Sequence, residues 1–189
     1  MKRKVIALTG SIGSGKSEVA RILRSFGYKT VNCDDLAKQI ADTPEVIGKV
    51  EQLLGSEYIF NGKLNRKAIR DKVFADGQLL AQYQAIFFDG VRQLLTDTLV
   101  SFDDEVVFVE IPVLDAFEFG WDEVWLVQSD RNTQIARVTA RDGVSAESVS
   151  NTLACQKTYS HTRVIANNGS IAELATAVSQ ALTQSNLID

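Results

Sequence analysis

Cysteine is nearly absent from this sequence, and its two cysteines, Cys33 and Cys155, show no paired spacing. That argues against a disulfide framework and for reduced thiols, packed in a core, in a cytoplasmic protein. Histidine is scarcer still. His161 stands alone, so neither a histidine metal cluster nor an imidazole-based nucleophile–base pair is supported. Proline occurs only at Pro44 and Pro112, and no proline- or glycine-rich linker, repeat or low-complexity tract interrupts the chain. Long apolar runs are missing too. Behind the basic Met1-Lys2-Arg3-Lys4, the run Val5–Leu8 has only a strand's length, which fits neither a signal peptide nor a membrane span. An excess of positive charge is the last absence. A net charge of −4 argues against a general nucleic-acid binder, and Trp121 and Trp125 read as packing residues rather than base-stacking platforms.

What is present begins with Gly10-Ser11-Ile12-Gly13-Ser14-Gly15-Lys16-Ser17. It fits the phosphate-loop pattern G-x-x-x-x-G-K-[S/T] at every specified position. The run before it reads as a buried strand. After it, Val19, Ala20, Ile22, Leu23 and Phe26 recur at helical spacing, and Gly27 suits the helix C-terminus. Glycines let the backbone curl until successive N–H groups point inward, and the following helix adds positive partial charge. Lys16 would reach the β- and γ-phosphates of a nucleoside triphosphate, with Ser17 on Mg²⁺.

With 189 residues, 45% hydrophobic, the chain can bury a core in one domain, residues 1–189, with a helical insertion. Strands are expected at Tyr28–Cys33, Val106–Val109, Val124–Val127 and Arg163–Ala166. Helices are expected from Asp34 to about Asp42, from Pro44 through Leu54, over Leu64–Phe74, and over Leu79–Leu99 with Gly90 as a weak point. Gly55–Gly62 reads as a turn. Further helices are expected over about Thr133–Arg141 and Ala146–Ala154, then one opened by a Ser170/Glu173 capping box. Near-continuous apolar strands alternating with helices predict an α/β, three-layer P-loop NTPase fold on a parallel five-stranded sheet. The helical middle, residues 36–100, is too long for a simple crossover and reads as a substrate-binding insertion.

Ligands of open parallel sheets bind beyond the carboxyl ends of the strands. Asp34 follows the second strand and can hold an acceptor hydroxyl and take its proton late in phosphoryl transfer. It could also cap its helix, but Asp35 beside it frees one carboxylate for chemistry. Glu110 ends the third strand and can orient Mg²⁺ through water or simply be solvated. Arg137 and Arg141, four apart, share a helix face that can close over a triphosphate or merely face solvent.

Taken together the sequence resembles the dephospho-CoA kinase family. The matching stretches are Ala7–Ser17, Val31–Lys38, Gly62–Arg66, Val73–Asp76, Ile111–Leu114, Gln134–Arg137, Arg141–Ser145, Ala154–Gln156 and Val164–Gly169. The resemblance implies ATP-dependent phosphorylation, with Mg²⁺, of the ribose 3′-hydroxyl of dephospho-CoA. It makes Lys16, Asp34, Arg137 and Arg141 catalytic, with Asp34 as base and the arginines in a lid over residues 131–160. Gly10, Ser11, Ile12, Gly13, Ser14, Gly15, Lys16, Ser17 and Glu18 would hold ATP, with Asn167, Asn168 and Gly169 near its adenine. The partner is a small-molecule acceptor, with no nucleic acid or membrane, in a monomer or small homo-oligomer. Four departures stand out. Phe88-Asp89 replaces a His-Pro pair, Asn32 an aspartate, and Glu18 a threonine. A lid arginine is missing from a stretch about five residues short after Gln156. Two alternatives therefore stand beside this reading: a related kinase for another small acceptor, and an ATP-binding regulatory protein that transfers nothing.

Overall fold

The apolar run Val5–Leu8 lies in the middle of a parallel sheet. In the computed structural model, which describes residues 3–73, 76–116, 119–157 and 159–188, it belongs to β1 (Lys4–Thr9). β1 pairs in parallel with β5 (Val106–Glu110) and β6 (Glu123–Gln128). β2 (Lys29–Asn32) lies outside β5, and β7 (Arg163–Ala166) outside β6, so the order is β2-β5-β1-β6-β7. Strands this apolar need cover, and helices supply it. Val19, Ile22 and Leu23 of α1 (Lys16–Ser25) and Leu174, Val178 and Leu182 of α8 (Ile171–Gln184) form one core with Ile6, Leu8, Phe108, Trp125 and Ile165. Trp125 is fully buried with its ring edge-on to Phe108 at 5.0 Å, as a packing residue should be. α6 (Arg131–Asp142) and α7 (Ala146–Cys155) fill the connection from β6 to β7.

The register decides what meets at the sheet's carboxyl edge. Leu8 and Asn32 are both opposite Glu110, so the chain leaves β1 into the glycine loop level with that carboxylate. The second strand is shorter than its apolar pattern predicts. It ends at Asn32, and buried Cys33 opens α2 (Cys33–Ile40), whose first turn carries Asp34 and Asp35, favourable charges at a helix N-terminus.

The chain divides into two compact units, the second built on Cys33–Phe102. That unit holds α2, α3 (Pro44–Leu54), α4 (Arg66–Val73) and α5 (Gly77–Val100), around Ala41, Val46, Val50, Leu64, Ile69 and Val73. Thr43 caps α3 by accepting from Val46 N, with Pro44 at the first helical position. The expected turn at Gly55–Gly62 holds more. After a 3₁₀ turn at Ser56–Tyr58, β3 (Ile59–Phe60) and β4 (Lys63–Leu64) form a hairpin. Asn61 and Gly62 close it at φ 50° and 71°, both values a two-residue primed turn demands. At Gly90, where the sequence suggests a weak point, α5 runs on without a break. A Cβ there would approach the flexible end of the Ile40 side chain to 2.6 Å, so α2 and α5 pack closely at this point. Met1, Lys2, Phe74 and Ala75, which belong to the sequence patterns above, lie outside the described residues.

Candidate active site

The glycine loop joins β1 to α1, and its turns need its glycines. Gly13 has φ 75°, and a Cβ there would come 2.8 Å from Gln134 O. Gly15 caps α1 at φ 97°, and its Cβ would run into the Asn167 amide. The loop is thus seated on backbone and side chains that leave no room for any other residue. Helix α1 starts at Lys16 and aims its N-terminal amides into the loop. The Lys16 ammonium donates to Gly10 O at 2.7 Å and Ser11 O at 3.2 Å, within the mouth of the same loop.

A buried carboxylate lies at this edge. Glu110 is 6% exposed at the end of β5. Ser17 Oγ donates to its Oε1 at 2.7 Å, and Asn32 Nδ2 donates to its Oε2 at 2.9 Å. The sequence left Glu110 either orienting Mg²⁺ through water or simply solvated; the carboxylate is buried and accepts directly from the loop hydroxyl.

A second network clamps the loop from α6 and β7. Asn167 continues β7, is 5% exposed, and donates from Nδ2 to Ser14 O at 2.8 Å. Arg137 donates to Ser129 Oγ at 3.0 Å and to Asn167 Oδ1 at 3.4 Å, and its Nη1 is 3.5 Å from Gly13 O. Ser129 Oγ in turn lies 2.6 Å from Asn167 O and 3.1 Å from Ser14 O. Gln134, also buried and one turn before Arg137, donates to Ser11 Oγ. Gln156, just past α7, accepts from Ile12 N at 2.9 Å.

The expected residues therefore separate. Gly10–Ser17, Glu110, Arg137 and Asn167 converge. Arg141 does not join them; it is exposed and bidentate on Asp142 at 2.8 Å, although it shares α6 with Arg137. The carboxylate of Glu18 turns along α1 to Arg21, which holds its pKa below the ordinary glutamate value. Asn168 Oδ1 accepts from Asp130 N at 2.8 Å, and Gly169 lies against the Glu173 carboxylate that caps α8. Asp34 is exposed in the first turn of α2. Phe88-Asp89 lies on α5, with Asp89 3.3 Å from Arg92. His161 is exposed, its Nδ1 3.0 Å from Tyr159 O. The contacts missed from sequence are those of Ser129, Gln134 and Gln156 with the loop and that of Asn32 with Glu110. Gln134 carried a signal, its i,i+3 relation to Arg137; the others become visible only through strand register and the path of α7.

The oxygen-only pair of Ser17 and Glu110 fits a hard divalent cation that takes one or two side chains and completes its shell elsewhere. Among the described residues no group of three or more His, Cys, Asp or Glu could cage a metal, and no helix is long and apolar enough to cross a membrane.

A strand, a glycine loop and a helix at the carboxyl edge of a parallel sheet, with a hydroxyl and a carboxylate beside the loop, define a P-loop kinase fold. The chain belongs to the dephospho-CoA kinase family, whose model matches residues 4–173. The dephospho-CoA kinase of Thermus thermophilus is 36% identical over 95% of this chain and 91% of its own length. That of Hydrogenovibrio crunogenus is 31% identical over 87% and 86%. A Thermus thermophilus crystal structure, 34% identical, covers 97% of this chain and 98% of its own with a TM-score of 0.78. Shikimate kinase from Bacteroides thetaiotaomicron, at 12% identity and a TM-score of 0.57, shares the fold alone.

Proposed function

We propose that this protein transfers the terminal phosphoryl group of ATP to the ribose 3′-hydroxyl of dephospho-CoA. The observation that carries the acceptor is the extent of the family match, residues 4–173, which takes in the helical unit as well as the phosphate loop. The loop amides of Gly10–Ser17 cradle the phosphates, and Lys16 exchanges its bonds to Gly10 O and Ser11 O for phosphate oxygens. Ser17 and Glu110 would hold Mg²⁺, which when bound would neutralise charge on the phosphates. Arg137, already braced against the loop, adds positive charge where the transferred group gains negative charge, and Arg141 joins it by leaving Asp142. Asp34 orients the acceptor hydroxyl and accepts its proton, while ADP leaves with the bridging oxygen. Asn168 and Gly169 border the adenine, with Glu18 at the start of α1. Residues 36–100 bind the acceptor and 131–160 form the lid. The protein works in the cytoplasm as a monomer or small homo-oligomer.

The test is ADP release with ATP and Mg²⁺ across a panel of acceptors. Dephospho-CoA is expected to drive turnover, and Asp34→Asn to slow it by roughly 10²–10⁴-fold. Turnover no higher than acceptor-free hydrolysis rejects the reading. An Asp34→Asn variant as fast as the parent removes Asp34 from the role of base.

A further inference from the structure

The Glu110 carboxylate is held at both oxygens, and its two holders differ in kind. Ser17 belongs to the phosphate loop. Asn32 is the last residue of β2, opposite Glu110 in the strand register, and lies outside the phosphate loop. We infer that Asn32 is a positioning residue that fixes the rotation of the Glu110 carboxylate, and with it the Ser17 hydroxyl, for binding of Mg²⁺ with ATP.

Three observations carry this. First, a carboxylate as buried as Glu110 needs a hydrogen bond at each oxygen to offset lost hydration, and these two donors supply them, 2.7 and 2.9 Å away. Second, the donor from Asn32 comes from the adjacent strand rather than the loop, so its position does not depend on the loop's own turns. Third, the donor is neutral. An amide fixes the carboxylate without cancelling its charge, as a lysine would, and without repelling it, as the aspartate expected at this position by resemblance would. An aspartate has no proton to donate to an ionised neighbour; the amide turns its NH₂ end toward Glu110 because only that end can serve it. Loss of the amide frees the carboxylate to rotate about its terminal bond, and the Ser17 hydroxyl then loses a fixed acceptor. Partners that orient a metal-binding group in this way typically change metal affinity by about 10–100-fold.

The inference rests on the reading of Ser17 and Glu110 as the magnesium pair, and the experiment separates the two. Asn32→Ala, Asn32→Leu and Glu110→Gln are prepared in the full chain. Apparent Mg²⁺ affinity is measured from the rise in melting temperature on titrating Mg²⁺ at fixed ATP, beside the Mg²⁺ dependence of turnover. Asn32→Ala is expected to weaken Mg²⁺ binding about 10-fold, with ATP binding in EDTA and the KM for dephospho-CoA within about twofold of the parent. Because Asn32 acts through Glu110, the double variant is expected to be no weaker than Glu110→Gln alone. Asn32→Leu, which keeps the side-chain size and lacks the donor, is expected to match Asn32→Ala; β2 is an edge strand, so both changes fall at the margin of the sheet. The inference is overturned if Glu110→Gln weakens Mg²⁺ binding and both Asn32 variants bind it as the parent does, or if the effects of the two sites simply add. If Glu110→Gln itself leaves Mg²⁺ binding unchanged, the magnesium reading fails, and the inference goes with it.

Discussion

At the scale of single residues, Lys16 shows how a charge can matter greatly to chemistry and little to folding. Its ammonium lies on loop carbonyls, Gly10 O and Ser11 O, in a site only half buried. Bonds of that kind contribute little net stability, since water replaces them readily. Against a polyphosphate the same ammonium meets concentrated negative charge, which grows on the leaving oxygen during transfer. Lys16→Ala is therefore expected to cut turnover by about 10²–10³-fold. Its melting temperature without nucleotide should stay within about 2 °C of the parent, because a surface change of this kind costs about 0.5 kcal/mol or less. The coupled assay beside scanning calorimetry checks both halves, and a variant as active as the parent contradicts the role given to the lysine. Arg137 and Arg141 teach a related lesson. Their spacing puts them on one helix, yet one guanidinium braces the loop while the other forms an exposed pair of small energetic worth.

At the scale of elements, α8 offers the sharpest test of local signals. Ser170 Oγ accepts from Glu173 N at 3.3 Å, and Glu173 Oε2 accepts from Ser170 N at 2.7 Å, so both partners of the capping box are in place. Ser170→Ala is expected to cost about 1 kcal/mol and lower the melting temperature by roughly 2–4 °C, with turnover unchanged. A shift under about 1 °C would show that α8 is held by its buried face alone. The box is legible in the amino-acid sequence itself, as are the phosphate loop and the order of its flanking strand and helix. They are local patterns whose physics is complete within a dozen residues. The β3–β4 hairpin is equally local, since Asn61-Gly62 is a strong primed-turn signal, but strands of two residues give no alternation to read. Gly90 and Asn32 are illegible for a different reason. Each acts on a partner distant in sequence, Ile40 and Glu110, that only helix packing or strand register brings near.

At the scale of the sheet-bearing unit, the Glu123 carboxylate ties the start of β6 to β1 and to the end of α8. Its Oε1 meets Lys4 Nζ at 2.6 Å, and its Oε2 accepts from Ser185 Oγ at 2.7 Å and Trp125 Nε1 at 2.9 Å. Burial pushes its pKa up, but the bonds from Lys4, Trp125 and Ser185 together with the Lys4 charge outweigh this, and the net shift is downward. A carboxyl group with a folded pKa below its unfolded one releases its proton more readily when folded. Its contribution to stability is therefore complete above the unfolded value and is lost as pH falls through the folded value. Glu18, Glu45 and Glu173 shift the same way, through Arg21, Lys49 and Ser170 respectively, but these pairs lie largely in solvent and are screened by it. The acid limb of the stability curve should thus depend chiefly on Glu123. Urea unfolding from neutral pH downward should show stability falling as pH drops below the ordinary glutamate range, with at most about 1.4 kcal/mol per pH unit for this one proton. Glu123→Gln should be less stable at neutral pH, because Lys4 loses its counter-charge, and should show a flatter acid limb, because its amide does not titrate. If the variant keeps the parent's slope, the protons taken up on acid unfolding belong to other carboxylates, and the bridge among β1, β6 and α8 is ordinary packing without a pH-sensitive charge.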